Sequence, residues 1–179
     1  MNSAMLRIFV DTLTALIIRP GRFFSVRFDQ MSTRQATIIL LGSSLFFAVS
    51  GSMTAPGGAS MRSGVILFTN AVGMVIIAAT ISFLIAKAFS VGRYPFSRLW
   101  NIFALCTGAV SLIAWVPGAF ILTEPWKWWL IGIGMVKGLK MTKLCAVITI
   151  LFTFGITVTL VLAMLSISNR MVAPGLQAN

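Results

Sequence analysis

The sequence predicts an all-α chain, a polytopic membrane helix bundle with five transmembrane helices preceded by an N-terminal interfacial amphipathic helix. Three observations carry that expectation. The 179 residues are 58% hydrophobic and only 9% charged, where a soluble domain carries roughly 25% charged residues. Uncharged runs recur at 35–61, 63–86 and 144–169. The charges between them are almost all basic: fourteen Lys and Arg against Asp11, Asp29 and Glu124, a net charge of +11. In a soluble chain that excess would suggest nucleic acid. Between apolar runs it is the pattern that holds loops on the cytoplasmic side, so the expected partners are the lipid bilayer and anionic lipids, and no nucleic acid.

Residues 3–19 read as an amphipathic helix. Ser3, Arg7, Asp11 and Thr14 form a thin polar stripe, and Met5, Leu6, Ile8, Phe9, Leu13, Leu16 and Ile17 cover the rest. The uncharged stretch is too short for a bilayer core of about 30 Å, which needs ~20 residues, so the helix is expected to lie in the interface. Pro20-Gly21 ends it. Arg7 and Asp11 interrupt the apolar run upstream, and Pro20 and Arg22 stand where a cleavable signal would need small residues, so no cleavable signal is expected; no lipidation pattern is read at either end. Arg22-Phe23-Phe24-Ser25-Val26-Arg27-Phe28 alternates aromatics with bases, as in a segment pressed against head groups. Arg19, Arg22, Arg27 and Arg34 are the candidate headgroup or orientation residues, each worth about 1 kcal/mol beside an anionic surface. Residues 1–35 are thus a cytoplasmic basic segment ahead of a membrane domain, 36–168.

The spans fall at about 36–53, 64–86, 99–122, 126–141 and 144–167. Small residues in the first, Gly42, Ser43, Ser44, Ser50 and Gly51, admit close helix packing. Pro56-Gly57-Gly58 makes an outer loop. Asn70 in the second span is read as an interhelical hydrogen-bonding residue. A basic loop with Lys87, Gly92, Arg93, Pro95 and Arg98 follows. In the third span Pro117-Gly118 should kink or end the regular helix. A tight turn is expected at Thr123-Glu124-Pro125, followed by Trp126, Trp128 and Trp129 at the bilayer–water boundary. The fourth segment has only nine residues between Lys127 and Lys137. It spans if Lys137 snorkels and the helix continues through Met141; otherwise it is re-entrant. Gly132 and Gly134 in it favour close packing. Lys137, Lys140 and Lys143 form the next basic loop, and 169–179 is a short tail.

Counting bases fixes the expected orientation. With five spans and the N-terminus inside, Arg7, Arg19, Arg22, Arg27, Arg34, Lys87, Arg93, Arg98, Lys137, Lys140 and Lys143 lie inside. Only Arg62, Lys127 and Arg170 lie outside. A re-entrant fourth segment makes the asymmetry weaker, which favours five spans.

Little chemistry is available. There is no histidine, and no acid lies inside a span, whereas a proton-coupled transporter usually needs an intramembrane ionisable group. Cys106 and Cys145 have no metal-ligand spacing and read as small apolar core residues. No Gly-rich phosphate cradle is present. No catalytic residue, metal site or cofactor is expected. The function expected is therefore that of a non-enzymatic integral membrane protein organising the membrane or scaffolding partner proteins, with membrane proteins or a second copy as partners. The alternative is a subunit of a small-solute channel or permease, its path lined by polar Ser, Thr, Asn and Gly residues.

Four stretches in order also resemble one family. They are Leu16-Ile17-Ile18-Arg19-Pro20-Gly21-Arg22-Phe23-Phe24, the basic loop Gly92-Arg93-Tyr94-Pro95-Phe96-Ser97, Pro117 near the end of a span, and Lys137-Gly138-Leu139 before the last helix. Over about 16–167 the chain resembles the bacterial branch of the Yip (Ypt-interacting protein) family. The resemblance implies five spans, a cytosolic N-terminus and, with the short basic N-terminus, a bacterial plasma (inner) membrane. The Asp-Leu-x-Gly-Pro and Gly-Tyr signatures of the eukaryotic, GTPase-linked members do not occur here, so no functional residue carries over from them.

Overall fold

The computed structural model describes residues 3–54, 60–89 and 94–172. The expected outer loop at Pro56-Gly57-Gly58, the Gly92-Arg93 part of the basic loop and the tail 173–179 lie outside the described residues. All regular structure in the described residues is helical. Helix α1 is Ser3–Ile18, α2 the short turn Pro20–Arg22, α3 Thr33–Thr54, α4 Met61–Ala88, α5 Phe96–Ala114, α6 Phe120–Ile133 and α7 Lys143–Val172. Two π-helical turns, Phe23–Arg27 and Gly134–Gly138, continue α2 and α6, and a 3-10 turn, Phe28–Gln30, follows the first of them. Four helices are long and apolar enough to cross a membrane: α3, α4, α5 and the Lys143–Ala163 part of α7. The chain has the helices of a membrane protein.

Helix α5 is the centre of the bundle. Its buried residues include Leu99, Asn101 to Cys106 and Gly108 to Ser111, which lie all round its axis, as in a helix with neighbours on every side. It packs on α1, α3, α4 and α6. Gly108 permits a close approach to α3: a Cβ there would meet Ile39 Cγ2 at 3.2 Å. By contrast α4 and α7 present long exposed apolar faces, Leu84, Leu151 and Leu162 among them. In a membrane helix such faces meet lipid.

The helix starts follow local chemistry. Ser32 and Gln35 form a capping box at α3: the Ser32 amide donates to Gln35 Oε1 at 3.0 Å, and the Gln35 amide to Ser32 Oγ at 3.2 Å, satisfying amides that a helix start otherwise leaves unpaired. Thr142 accepts from the Cys145 amide at the start of α7. Three links bind the start of α5 to the stretch before and into α3. Arg98 pairs with Asp29 at 2.7 Å, Trp100 Nε1 donates to Thr37 Oγ1 at 2.9 Å, and Asn101 Nδ2 donates to the Met31 carbonyl at 3.4 Å.

Two expectations are corrected at the α5–α6 connection. Helix α5 stops at Ala114 instead of reaching Leu122, because Pro117-Gly118 sits in a turn where Gly118 has φ +81°, a backbone region open to glycine. The reversal is therefore here and not at Thr123-Glu124-Pro125. Those three residues are helical, with Pro125 inside α6. Trp126, Trp128 and Trp129 consequently lie on a helix. Trp128 packs edge-on against Phe103 and Phe154, with ring centroids 6.3 and 5.5 Å apart, while Trp129 is exposed.

Helix α6 and its π turn run back alongside α5. Near its start, Glu124 and Lys127 share a cavity wall with Asn70 and Ser111. Beyond its end, Leu139 clusters with Leu99, Ala86 and Lys87. Lys140 then turns the chain with φ +56°, and the Met141 amide reaches back to the Met135 carbonyl at 3.2 Å.

Candidate functional site

The first candidate site is built on the segment between α1 and α3. Arg19 breaks the helix with φ −138°, and Pro20 starts α2, where its missing N–H costs nothing. The π turn then widens the helix: the Phe28 amide bonds to the Phe23 carbonyl, five residues back. Phe23, Phe24 and Phe28 are buried, at 3%, 2% and 3% exposure, whereas Arg22, Val26 and Arg27 are exposed. The alternation of aromatics and bases thus divides the segment into two faces. They are the apolar underside of the segment, and the arginines are its outer face.

The seat for those rings lies on the other π turn. A Cβ on Gly134 would stand 3.0 Å from Phe24 Cζ and 2.7 Å from Ile102 Cγ2. A Cβ on Gly138 would stand 3.0 Å from Phe28 Cδ1 and 3.4 Å from Phe24 Cδ1. Glycine at both places lets two rings, tilted at 59° to each other with centroids 5.4 Å apart, lie directly on helix backbone. Two stretches more than a hundred residues apart in sequence, Phe23-Phe24 and Lys137-Gly138-Leu139, therefore meet in one joint. Gly132, by comparison, faces α7, where its Cβ would meet Ile150 Cδ1 at 3.1 Å.

Held by that joint, the segment forms a groove of about 650 Å³ with α1. Arg19, Arg22 and Arg27 line it, with Asp11 and Thr14 on the α1 side and Phe23 and Val26 as its apolar part. Three of the four expected arginines are brought together here. Arg34 is exposed on the first turn of α3 and does not line the groove. Lys137, Lys140 and Lys143 are exposed and also stand outside it. On α1, Arg7, Asp11 and Thr14 are exposed, while Thr12, Leu13 and Leu16 are buried against the bundle.

The second candidate site is a cavity of about 370 Å³ at the other end, walled by α3, α4, α5, α6 and α7. Asn70 lines it and is exposed, with no side-chain hydrogen bond among the described residues. Pro117 and Gly118 are exposed in the α5–α6 turn and do not line it. Sequence reasoning did not find this cavity. Its polar members, Asn70, Thr107, Ser111, Glu124, Lys127, Trp128 and Thr157, come from four helices and have no shared spacing. Glu124 and Lys127 pair at 2.6 Å.

Comparison with known protein families, curated proteins and solved structures finds no match to this chain. Its reading rests on its own residues. Among the described residues no group of three or more His, Cys, Asp or Glu could hold a metal ion, and both cysteines are free.

Proposed function

We propose that the chain is a non-enzymatic integral membrane protein that engages anionic lipid at its basic end and thereby organises the membrane or positions partner proteins. The groove of Arg19, Arg22 and Arg27 carries this reading. Three guanidiniums converge beside apolar Val26 and Phe23, which matches the junction of a phosphate with acyl chain. Guanidinium is also the side chain best suited to phosphate oxygens, which it binds through two N–H groups. Asp11 in the wall keeps the groove from being uniformly cationic, and so favours a head group that carries its own donor.

Five spans with a cytoplasmic N-terminus and an outer C-terminus complete the proposal. In its support, α6 has 14 residues and its π turn five more, about 28 Å at 1.5 Å per residue, close to the ~30 Å of a bilayer core. The rod runs back along α5 as far as Ile102 and Leu99, which supports a spanning segment. The basic excess supports a cytoplasmic face at the groove. The resemblance to the bacterial Yip branch supports the same five spans and an inner-membrane location.

The test uses the full chain purified in a neutral detergent. Phosphatidylglycerol should raise its thermal midpoint in a saturable way, and phosphatidylcholine should not. The triple variant Arg19→Gln, Arg22→Gln, Arg27→Gln should lose apparent affinity by about fivefold per arginine, whereas Arg34→Gln should change it far less. Equal response of the triple variant and the wild type would remove the groove from the account.

A further inference from the structure

The cavity at the other end of the bundle has a specific chemistry. Most of its wall is hydrocarbon: Phe47, Met74, Val110, Val158 and Leu162 come from four helices. Its volume of about 370 Å³ is room for about twelve waters at ~30 Å³ each, within the range of ligand sites. Apolar walls of this kind favour a hydrocarbon over water. Asn70, Glu124, Phe154 and Val158 line it and are also exposed, so the cavity opens to the outside of the bundle.

Two of its lining residues carry unpartnered polar groups. The buried indole Nε1 of Trp128 has no acceptor among the described residues, and neither does the Thr157 hydroxyl, whose residue is 8% exposed. Thr157 stands out from its neighbours on α7. Thr149, Thr153 and Thr159 each return a hydrogen bond to the carbonyl four residues back, at 2.8, 2.7 and 2.9 Å. That is the usual fate of a helical threonine in an apolar setting. Thr157 does not do this, although Thr153 sits one turn below it. Lys127 adds an ammonium with three donors, of which the Glu124 pair uses one. An indole N–H and an ammonium donate only, so the group that partners them must accept.

We propose that this cavity binds a single-chain amphiphile whose polar end is a carboxylate or ester carbonyl. The polar end accepts from Trp128 Nε1 and Thr157 Oγ1 beside Lys127, and the chain lies along Val110, Met74 and Val158. Neither the groove nor its arginines enter this proposal, and the two fail separately.

The test is photolabelling of the full chain in detergent micelles with a diazirine-bearing palmitate, read by mapping of the labelled peptides. Labelling should saturate and should fall on α4, α5 and α7 residues of the cavity wall. Palmitate and methyl palmitate should compete, and hexadecane should not. Thr157→Val, which removes one donor at nearly constant volume, should weaken labelling about fivefold, the value of one hydrogen bond, and Trp128→Phe, which removes the indole N–H together with part of the ring, should weaken it at least as much. Ala71→Phe, which fills the wall from α4, should reduce saturable labelling more than tenfold. Each variant is first checked for a wild-type thermal midpoint and a single elution peak. Should one filling variant fail to fold, Ala114→Phe fills the same space from α5. Labelling that does not saturate, that hexadecane competes equally, or that survives the filling variants overturns the proposal.

Discussion

Replacing Phe24 by alanine will destabilise the folded chain by about 3–5 kcal/mol, the range for truncating a buried phenylalanine. Phe24 is 2% exposed, and its ring touches three things at once: Phe23 edge-on at 5.3 Å, Phe28 at 5.4 Å, and the backbone of the second π turn at Gly134. Removing it leaves a cavity in the joint that holds the arginine segment on the bundle. The loss will be local first. Trypsin should cut after Arg22 and Arg27 much faster than in the wild type, while α3 to α7 persist as a protected core. An unmoved thermal midpoint with unchanged cleavage would mean that the segment is held by something other than the ring. The α1 helix, through Leu13 and Leu16, would then be the anchor.

Gly134→Leu approaches the same joint from the other side. A single added carbon already falls 2.7 Å from Ile102 Cγ2, on the most buried helix of the bundle, and 3.0 Å from the Phe24 ring. Ile102 is itself fully buried and has no room to retreat. Overpacking a dense core costs typically 1–3 kcal/mol, and a leucine on a π turn wedged between two fixed groups should reach about 3 kcal/mol. Gly73→Ala is the control. No atom lies within 4 Å of its added carbon, so that change should be neutral or gain up to about 1 kcal/mol from helix propensity. The contrast separates the joint from a general intolerance of side chains at glycine. Thermal unfolding in detergent of all three chains, side by side, reads it directly.

Much of the helix architecture was legible because its signals are local or periodic. The uncharged runs are long, and α3, α4 and most of α7 lie where those runs place them. The break at Pro20 and the end of α5 near Pro117-Gly118 follow from what proline and glycine do to a backbone. The α6 start was misread because Pro125 resembles a turn residue, and helical continuation through a proline depends on packing that a sequence does not display. The joint was only half legible. Phe24 and Gly138 were each noted, but nothing in their spacing says that they touch, since that contact is set by two π turns which rephase the side chains. Trp128 illustrates the same limit. Its neighbours in sequence suggest a membrane boundary and say nothing of Phe103 and Phe154, remote in sequence, between which it is half-buried. The cavity was illegible for a related reason: its polar atoms are distinguished by bonds they do not make, and Thr157 looks like Thr153 until the helix is built.

The central claim is that the chain crosses the bilayer five times, with the arginine groove on the cytoplasmic face. Cysteine accessibility in sealed cells tests it most directly. With Cys106 and Cys145 replaced by serine, single cysteines would be placed at Ser60 and Val116, at Ser97 and Thr142, and at Ala178. The first four positions are exposed in the fold. The account predicts that an impermeant maleimide labels positions 60, 116 and 178 from outside, and reaches 97 and 142 only after the membrane is opened. Labelling of 142 from outside together with protection of 178 would make α6 and its π turn re-entrant, and would contradict the account.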